Sequence, residues 1–77
     1  MNSYLLGKKV NPIEHLSARE IEIARLLVKG YGNLEISNAL DIQKTTVSTY
    51  KKRIFEKLQI DNLAALIETF TFFNERA

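Results

Sequence analysis

The sequence predicts an all-α fold of four helices with a helix-turn-helix at its centre. Residues 33–57, NLEISNALDIQKTTVSTYKKRIFEK, contain two stretches of helical periodicity separated by the three-residue turn Asp41-Ile42-Gln43. Strong helix-start and helix-stop signals flank this region on both sides. The chain has 77 residues and no cysteine, so one small domain must be stabilised by helix packing alone.

The first helix is bounded by two clear signals. Residues 1–15 contain the only proline and no sustained period, so we expect a lead-in or linker there, followed by a domain over residues 16–77. Ser17 and Glu20 form a capping box, with Leu16 placed to pack onto Ile21. Gly30 suits the left-handed residue that ends a helix.

The second and third helices surround the predicted turn. We expect the second helix to be capped near Gly32-Asn33 and to end at Leu40, with three inward residues: Ile36, Ala39 and Leu40. The third helix is predicted over about 44–58, with an apolar stripe of Val47, Ile54 and Leu58 completed by Tyr50 or by the stem of Lys51. Ile42 is expected to fill the angle between the two helices.

The outward face of the third helix is hydroxylated and cationic. It comprises Thr45, Ser48, Thr49, Lys52, Arg53 and Glu56. From Lys44 to Lys57 there are five basic residues and one acidic residue, a balance of +4, whereas the whole chain carries +2. The positive charge is therefore concentrated on one element, which is typical of phosphate binding, and a helix fits the DNA major groove.

The fourth helix is apolar over an unusually wide arc. We expect Asp61 to cap it and about residue 73 to end it, with a stripe of Leu63, Leu66, Ile67, Phe70 and Phe73. Ala64, Ala65 and Phe72 widen this stripe. A helix that is apolar around much of its circumference is buried on more than one side, so a partner subunit is expected there.

Composition excludes several classes of protein. With no cysteine there is no thiolate metal site, and a single histidine cannot build a zinc site unless several carboxylates converge on it, so no cofactor is implied. The residues assemble no nucleophile–base pair and no glycine-rich phosphate loop, so we do not expect an enzyme. No apolar run approaches the roughly 20 residues of a membrane span, and no signal peptide is present, so a soluble, cytoplasmic protein is expected.

The order and spacing of several motifs resemble those of the LuxR-type helix-turn-helix. These are Leu16-Ser17-Ala18-Arg19-Glu20, Gly30, Asn33-Leu34-Glu35-Ile36, Leu40, Ile42, Thr46-Val47 and Lys57-Leu58. The domain is the C-terminal output module of NarL/FixJ-class response regulators, and the segment Thr46-Val47-Ser48-Thr49-Tyr50-Lys51 is similar to BvgA/EvgA-type members. The resemblance covers about residues 16–70. A receiver domain would complete such a regulator, so residues 1–15 are expected to be the tail of an interdomain linker.

The resemblance implies a tetra-helical, GerE-like domain that binds double-stranded DNA as a two-fold dimer, on an inverted-repeat operator. RNA polymerase is a further candidate partner. Implied base contacts fall to Ser48, Thr49 and Lys52 in the major groove. Implied phosphate contacts fall to Asn33, Lys44, Thr45, Thr46, Tyr50 and Lys51. The fourth helix commonly forms the dimer interface in this family, which points to Leu63, Ile67 and Phe70.

Three positions depart from the family pattern. Gln43 replaces a frequent serine or threonine cap, so the third helix is expected to begin with a different or weaker cap. Ser48 replaces a frequent lysine, which removes a long donor from the base-reading face. Leu63 replaces a frequent arginine at the start of the fourth helix, so any ion pair made there is absent.

Alternatives remain open for residues and for the domain. Lys51, Lys52 and Arg53 could form a plain solvated face, and Tyr50 could be a core residue rather than a phosphate contact. The hydroxyls at 45, 46 and 48 could be simple capping groups. A sigma-factor region 4-like module shares the helix-turn-helix but ends soon after it. A protein-interaction module would instead dock the basic helix on an acidic partner.

Overall fold

The computed structural model describes residues 11–74, the side chain of the last excepted, and contains four α-helices in that range. A short 3-10 helix, Pro12–His15, precedes α1 (Ala18–Val28), α2 (Asn33–Leu40), α3 (Lys44–Leu58) and α4 (Leu63–Asn74). The described residues therefore confirm the predicted all-α, four-helix class. Residues 1–10 of the predicted lead-in, and residues 75–77, lie outside the described range.

One apolar core joins all four helices. Each helix contributes fully buried side chains, and the completely inaccessible large ones are Ile23, Ile36, Val47, Ile54 and Leu66. The core also takes in Ile13 from the 3-10 helix and Leu16 from the segment that leads into α1. The packed part of the chain therefore begins before residue 16.

The first helix begins with the predicted capping box. The Glu20 amide donates to Ser17 Oγ at 3.2 Å, and the Ser17 amide donates to Glu20 Oε1 at 2.8 Å. At the other end Gly30 has φ +99°, and the Tyr31 amide donates to the Leu26 carbonyl. The left-handed Gly30 and the bond from Tyr31 belong to a Schellman motif. The capping box and the glycine stop signal are therefore both confirmed.

The two connections around α3 each use a non-glycine residue in the left-handed region. Asp41 has φ 56° between α2 and α3, and Gln59 has φ 58° between α3 and α4. After Gln59, the Ile60 amide donates to the Phe55 carbonyl, and Ile60 packs against the core. This conformation costs a non-glycine residue about 1–2 kcal/mol, which the core contacts on both sides offset.

Three detailed expectations were wrong. Ala39 is exposed and borders a shallow groove between α1 and α2, whereas the side chain of Ser37 is buried and its hydroxyl donates to the Leu34 carbonyl. The cap of α4 is Asn62 rather than Asp61, since Asn62 Oδ1 accepts from the Ala65 amide at 2.8 Å. Phe70 was expected at the dimer interface, but its side chain is only 4% exposed and belongs to the core.

An ion pair between an exposed lysine and a buried glutamate fixes the end of α3 to the start of α1. Lys57 Nζ lies 2.8 Å from Glu20 Oε1, and the Glu20 side chain is 4% exposed while that of Lys57 is 42% exposed. Burial favours a higher pKa for the Glu20 carboxyl, but the bonds from Lys57 and Ser17 outweigh it and lower the pKa. The capping glutamate of α1 thus also orients α3.

Candidate nucleic-acid interface

The exposed face of α3 carries most of the residues that the sequence singled out. Val47, Ile54 and Leu58 are buried and hold one side of the helix against the core. The opposite side presents the exposed residues Lys44, Thr45, Ser48, Thr49, Lys52 and Arg53, together with the single acidic residue Glu56. The helix is thus anchored along one stripe and presents hydroxyls and cations along the other.

The remaining predicted contact residues lie at the flanks of this face. Thr46, Tyr50 and Lys51 are half-buried on α3, and Tyr50 packs against the core. Arg53 lies over the Tyr50 ring at 6.0 Å from its centroid, and Lys51 lies at the same distance from the Phe55 ring. These aromatic contacts hold the two cationic stems along the helix.

The start of α3 has no side-chain cap. Gln43 occupies the N-cap position but makes no capping hydrogen bond, as the departure from the family pattern led us to expect. Its Oε1 instead accepts from Thr45 Oγ1 at 3.5 Å. The first amides of α3 therefore remain available, and such a helix end favours an anion through both its free donors and its dipole.

The α2 helix begins next to the middle of α3. Asn33 is the first residue of α2, and its Nδ2 donates to Ser48 Oγ at 3.0 Å. The α2 start is organised by Glu35, whose Oε1 accepts from the Gly32 amide at 2.7 Å. Asn33 and Ser48 are 15 positions apart in the sequence, so this bond joins the two helices of the motif across the turn.

One further hydroxyl on the face is engaged by the helix itself. Thr49 Oγ1 donates to the Thr45 carbonyl one turn earlier, at 3.1 Å. Sequence reasoning anticipated neither this bond nor the Asn33–Ser48 bond. The residue types alone contain the signal for the Thr49 bond, since threonine hydroxyls within helices often bond to the carbonyl four residues before.

A second surface lies on α4 and is apolar. Leu63 and Ile67 are 41% and 37% exposed, and Phe72 is 46% exposed with its ring edge-to-face against Phe73 at 4.8 Å. Leu66 and Phe70 of the same helix enter the core. Of the three residues predicted for a dimer interface, Leu63 and Ile67 are therefore accessible to a partner, whereas Phe70 is buried.

Residues 11–74 lack the features of two other classes of protein site. No group of three or more histidine, cysteine, aspartate or glutamate side chains in this range could hold a metal ion. None of the helices in the same range has the length and hydropathy to cross a membrane.

Comparison with known proteins gives consistent matches over the helical region. Residues 14–70 match the family model described as bacterial regulatory proteins, luxR family. The chain is 41% identical over 58 residues to the oxygen regulatory protein NreC of Staphylococcus carnosus, which covers 75% of this chain and 27% of that protein. It is 40% identical over 57 residues to the tetrathionate response regulatory protein TtrR of Salmonella typhimurium, covering 74% and 28% respectively.

The matched relatives are much longer than this chain. The matched 58 and 57 residues span 27% and 28% of the length of NreC and TtrR. No solved structure gives a match. The family match covers more than half of the chain and includes the whole helix-turn-helix. This chain belongs to the luxR family of bacterial regulatory proteins, and its helix-turn-helix is a DNA-binding domain of transcription regulation.

Proposed function

We propose that this domain binds double-stranded DNA sequence-specifically, with α3 in the major groove. The observation that carries the proposal is the two-sided character of α3. Its apolar stripe is buried, and its opposite face exposes hydroxyls and cations with no apolar side chain between them. A helix of this kind can enter the groove without losing its contacts with the core.

Phosphate contacts supply affinity in this account. We assign them to residues at the start and flank of α3, and to the start of α2: Asn33, Lys44, Thr45, Thr46, Tyr50 and Lys51. The uncapped amides at the start of α3 support the assignment of the residues around Lys44, because a helix N-terminus attracts an anion. The ring of Tyr50 packs against the core, and its hydroxyl would reach the phosphate backbone of the DNA.

Base contacts supply specificity. We assign them to Ser48, Thr49 and Lys52, which are exposed on the central part of the outward face of α3. Only Lys52 has a long side chain, and two short hydroxyls complete the set. The domain would therefore read its site through one long donor and two groups that require close approach of the helix to the bases.

We also propose that two copies pair through α4 on an inverted-repeat operator. The exposed Leu63 and Ile67 support this, because apolar side chains of this size on a helix surface favour a protein contact. Pairing would fix the separation and orientation of the two α3 helices, and so the spacing of the half-sites.

The full-length context is a proposal of the same kind. TtrR is named a tetrathionate response regulatory protein, and this chain matches a part of it. We propose that this domain is the output module of a NarL/FixJ-class response regulator of a two-component system, in the bacterial cytoplasm. Its regulated activity would then include contact with RNA polymerase at the promoter.

A sigma-factor region 4-like module is the alternative within DNA binding. Such a module ends soon after the second helix of the motif, whereas α4 here contributes Leu66 and Phe70 to the common core. A protein-interaction module that docks an acidic partner is the alternative of another class. The exposed cations alone would serve either role, so the distinction lies in whether a duplex is bound with a site preference.

Selection of bound duplexes from a random pool tests the proposal. We expect recovery of an inverted repeat, with half-sites about one helical turn apart, and binding that weakens steeply with salt. Recovery of a direct promoter-like element without symmetry would favour the sigma-like alternative. Absence of any motif, or binding that ignores salt, would contradict sequence-specific DNA binding.

A further inference from the structure

Two neighbouring hydroxyls on the outward face of α3, those of Ser48 and Thr49, are in opposite hydrogen-bonding states. A hydroxyl has one hydrogen to donate and two lone pairs that accept. Ser48 Oγ accepts from Asn33 Nδ2 at 3.0 Å, whereas Thr49 Oγ1 donates to the Thr45 carbonyl at 3.1 Å. The same functional group therefore has a different capacity left for DNA at each of these neighbouring positions.

Ser48 retains its hydrogen for a ligand. One lone pair is occupied by the Asn33 amide, and no acceptor within residues 11–74 takes the Ser48 hydrogen. An asparagine Nδ2 carries hydrogens only, so it cannot accept from Ser48. Ser48 is exposed on the face of α3 that carries Thr49 and Lys52, and its hydrogen can point away from the protein.

Thr49 retains acceptor capacity and a methyl group. Its hydrogen is bonded to the backbone of its own helix, so its lone pairs and its methyl group remain for a ligand. In the major groove these would meet an exocyclic amine, on adenine N6 or cytosine N4, or a thymine methyl group. Thr49 therefore offers an acceptor where Ser48 offers a donor, so the two residues can be compared within one helix.

We propose that Asn33 is a positioning residue that fixes Ser48 as a hydrogen-bond donor to a purine acceptor, N7 or guanine O6, in the major groove. The proposal rests on the proposed function, because it takes α3 to lie in that groove. It adds a role for Asn33 in base preference, beyond the phosphate contact assigned to it. The second hydrogen of Asn33 Nδ2 stays available for a phosphate, so one side chain would couple the DNA backbone to a base-reading group.

The donor assignment matters because the base edges in the major groove offer both purine acceptors and exocyclic amines. A hydroxyl that rotates freely satisfies either group and discriminates poorly between them. A hydroxyl whose oxygen already accepts from Asn33 keeps its hydrogen and only one lone pair, so its preference shifts toward an acceptor on the base and away from a base amine. We expect a single bond of this kind to change affinity about 2- to 10-fold.

The test uses purine analogues in the duplex recovered by selection. Each purine of a half-site is replaced singly by its 7-deaza counterpart, which lacks the N7 acceptor, or, for guanine, by 2-aminopurine, which lacks O6. We expect one purine at which an analogue weakens wild-type binding about 2- to 10-fold. At that purine the Ser48→Ala variant should bind the natural and analogue duplexes equally, whereas Thr49→Val should keep the wild-type sensitivity.

The role of Asn33 is tested by Asn33→Asp. The substituted side chain has nearly the same shape but only acceptor oxygens, so the Ser48 hydrogen must turn toward it. An acid at the first position of α2 is favourable for the helix, so folding is retained. Asn38→Asp is the matched control, since it adds the same charge at an exposed position of the same helix.

The expected result is a loss of analogue sensitivity in Asn33→Asp but not in Asn38→Asp. Both variants should bind all duplexes more weakly than wild type, because each adds a negative charge to a domain that binds a polyanion. Equal analogue sensitivity in the two variants would overturn the positioning role. Analogue sensitivity at no purine, or sensitivity that survives Ser48→Ala at every purine, would overturn the donor assignment while leaving site-specific binding intact.

Discussion

The helices α3 and α4 are anchored in the same way but expose opposite chemistry. Three buried side chains hold α3, and Leu66 and Phe70 hold α4. On its free side α3 presents cations and hydroxyls, whereas α4 presents Leu63 and Ile67. The difference indicates two kinds of partner, a polyanion for α3 and an apolar surface for α4, on one small core.

The N-terminal ends of α3 and α4 also differ, in whether a side chain caps them. Asn62 caps α4, so its first amides are partly satisfied within the chain. No side chain caps α3, and its first amides stay available to a phosphate. The two helices therefore differ in how their backbone is prepared for a ligand, as well as in their side chains.

The largest effect is expected where α4 enters the core. Phe70→Ala should lower the free energy of unfolding by about 3–5 kcal/mol, since it removes a buried ring from a core of few residues. Ile67→Ala, at a side chain that is 37% exposed, should lower it by only about 1 kcal/mol. Urea denaturation monitored by circular dichroism measures both, and similar losses in the two variants would contradict the assignment of Phe70 to the core.

A smaller loss is expected where α3 is fixed to α1. Lys57→Met should lower stability by about 1–3 kcal/mol, because it leaves the buried Glu20 carboxylate with only the Ser17 hydrogen bond. Glu22→Gln is the matched control, since the Arg19–Glu22 pair is exposed on both sides and contributes about 0–1 kcal/mol.

The pH dependence of the same variant gives a sign that can be checked. The pKa of Glu20 is lower in the folded state than its ordinary value, so ionised Glu20 stabilises the fold above that ordinary value. The contribution is lost as pH falls through the lowered folded pKa. Without Lys57, burial should raise the pKa of Glu20, so the variant should lose less stability from this group as pH falls than wild type does. The same pH dependence in the variant and in wild type would contradict the pair.

The salt dependence of binding tests whether α3 contacts a polyanion. Lys51→Ala should reduce the slope of log affinity against log salt by about 0.9, the value for one phosphate contact fewer. Lys29→Ala, which changes an exposed lysine at the end of α1, should leave the slope unchanged. Fluorescence anisotropy over a salt series measures the slopes, and equal reductions would imply a diffuse charge effect rather than a contact.

The smallest effect is expected at the connection between the two helices. Gln59→Gly should stabilise the domain by about 0.5–1 kcal/mol, because glycine adopts the left-handed conformation at φ 58° without steric cost. Gln59→Ala keeps the strained conformation and should give no such gain. Thermal denaturation of the two variants decides between relief of strain and an unrelated side-chain effect.

The local signals in the sequence predicted the helices well. Ser17 with Glu20 and the glycine at 30 define α1 through contacts within a few residues, so their chemistry can be read from spacing alone. The positive face of α3 was predictable for a similar reason, because Val47, Ile54 and Leu58 recur at helical spacing. Once the buried stripe is known, the exposed stripe follows.

The errors and omissions arise from contacts between distant residues. Phe70 was assigned to an interface because the apolar arc of α4 is wide, but periodicity does not state which part of the arc faces α1. The Lys57–Glu20 pair joins residues 37 positions apart, and the Asn33–Ser48 bond joins residues 15 apart. Such pairs depend on the angles between packed helices, which the composition of each helix does not determine.

The ratio of affinities for an inverted repeat and for a single half-site tests the central claim most directly. The account predicts that wild type prefers the inverted repeat, that Ile67→Ser removes this preference while keeping half-site affinity, and that Lys52→Ala weakens both duplexes. A preference that survives Ile67→Ser together with an unaffected Lys52→Ala would contradict the division of roles between α4 and α3.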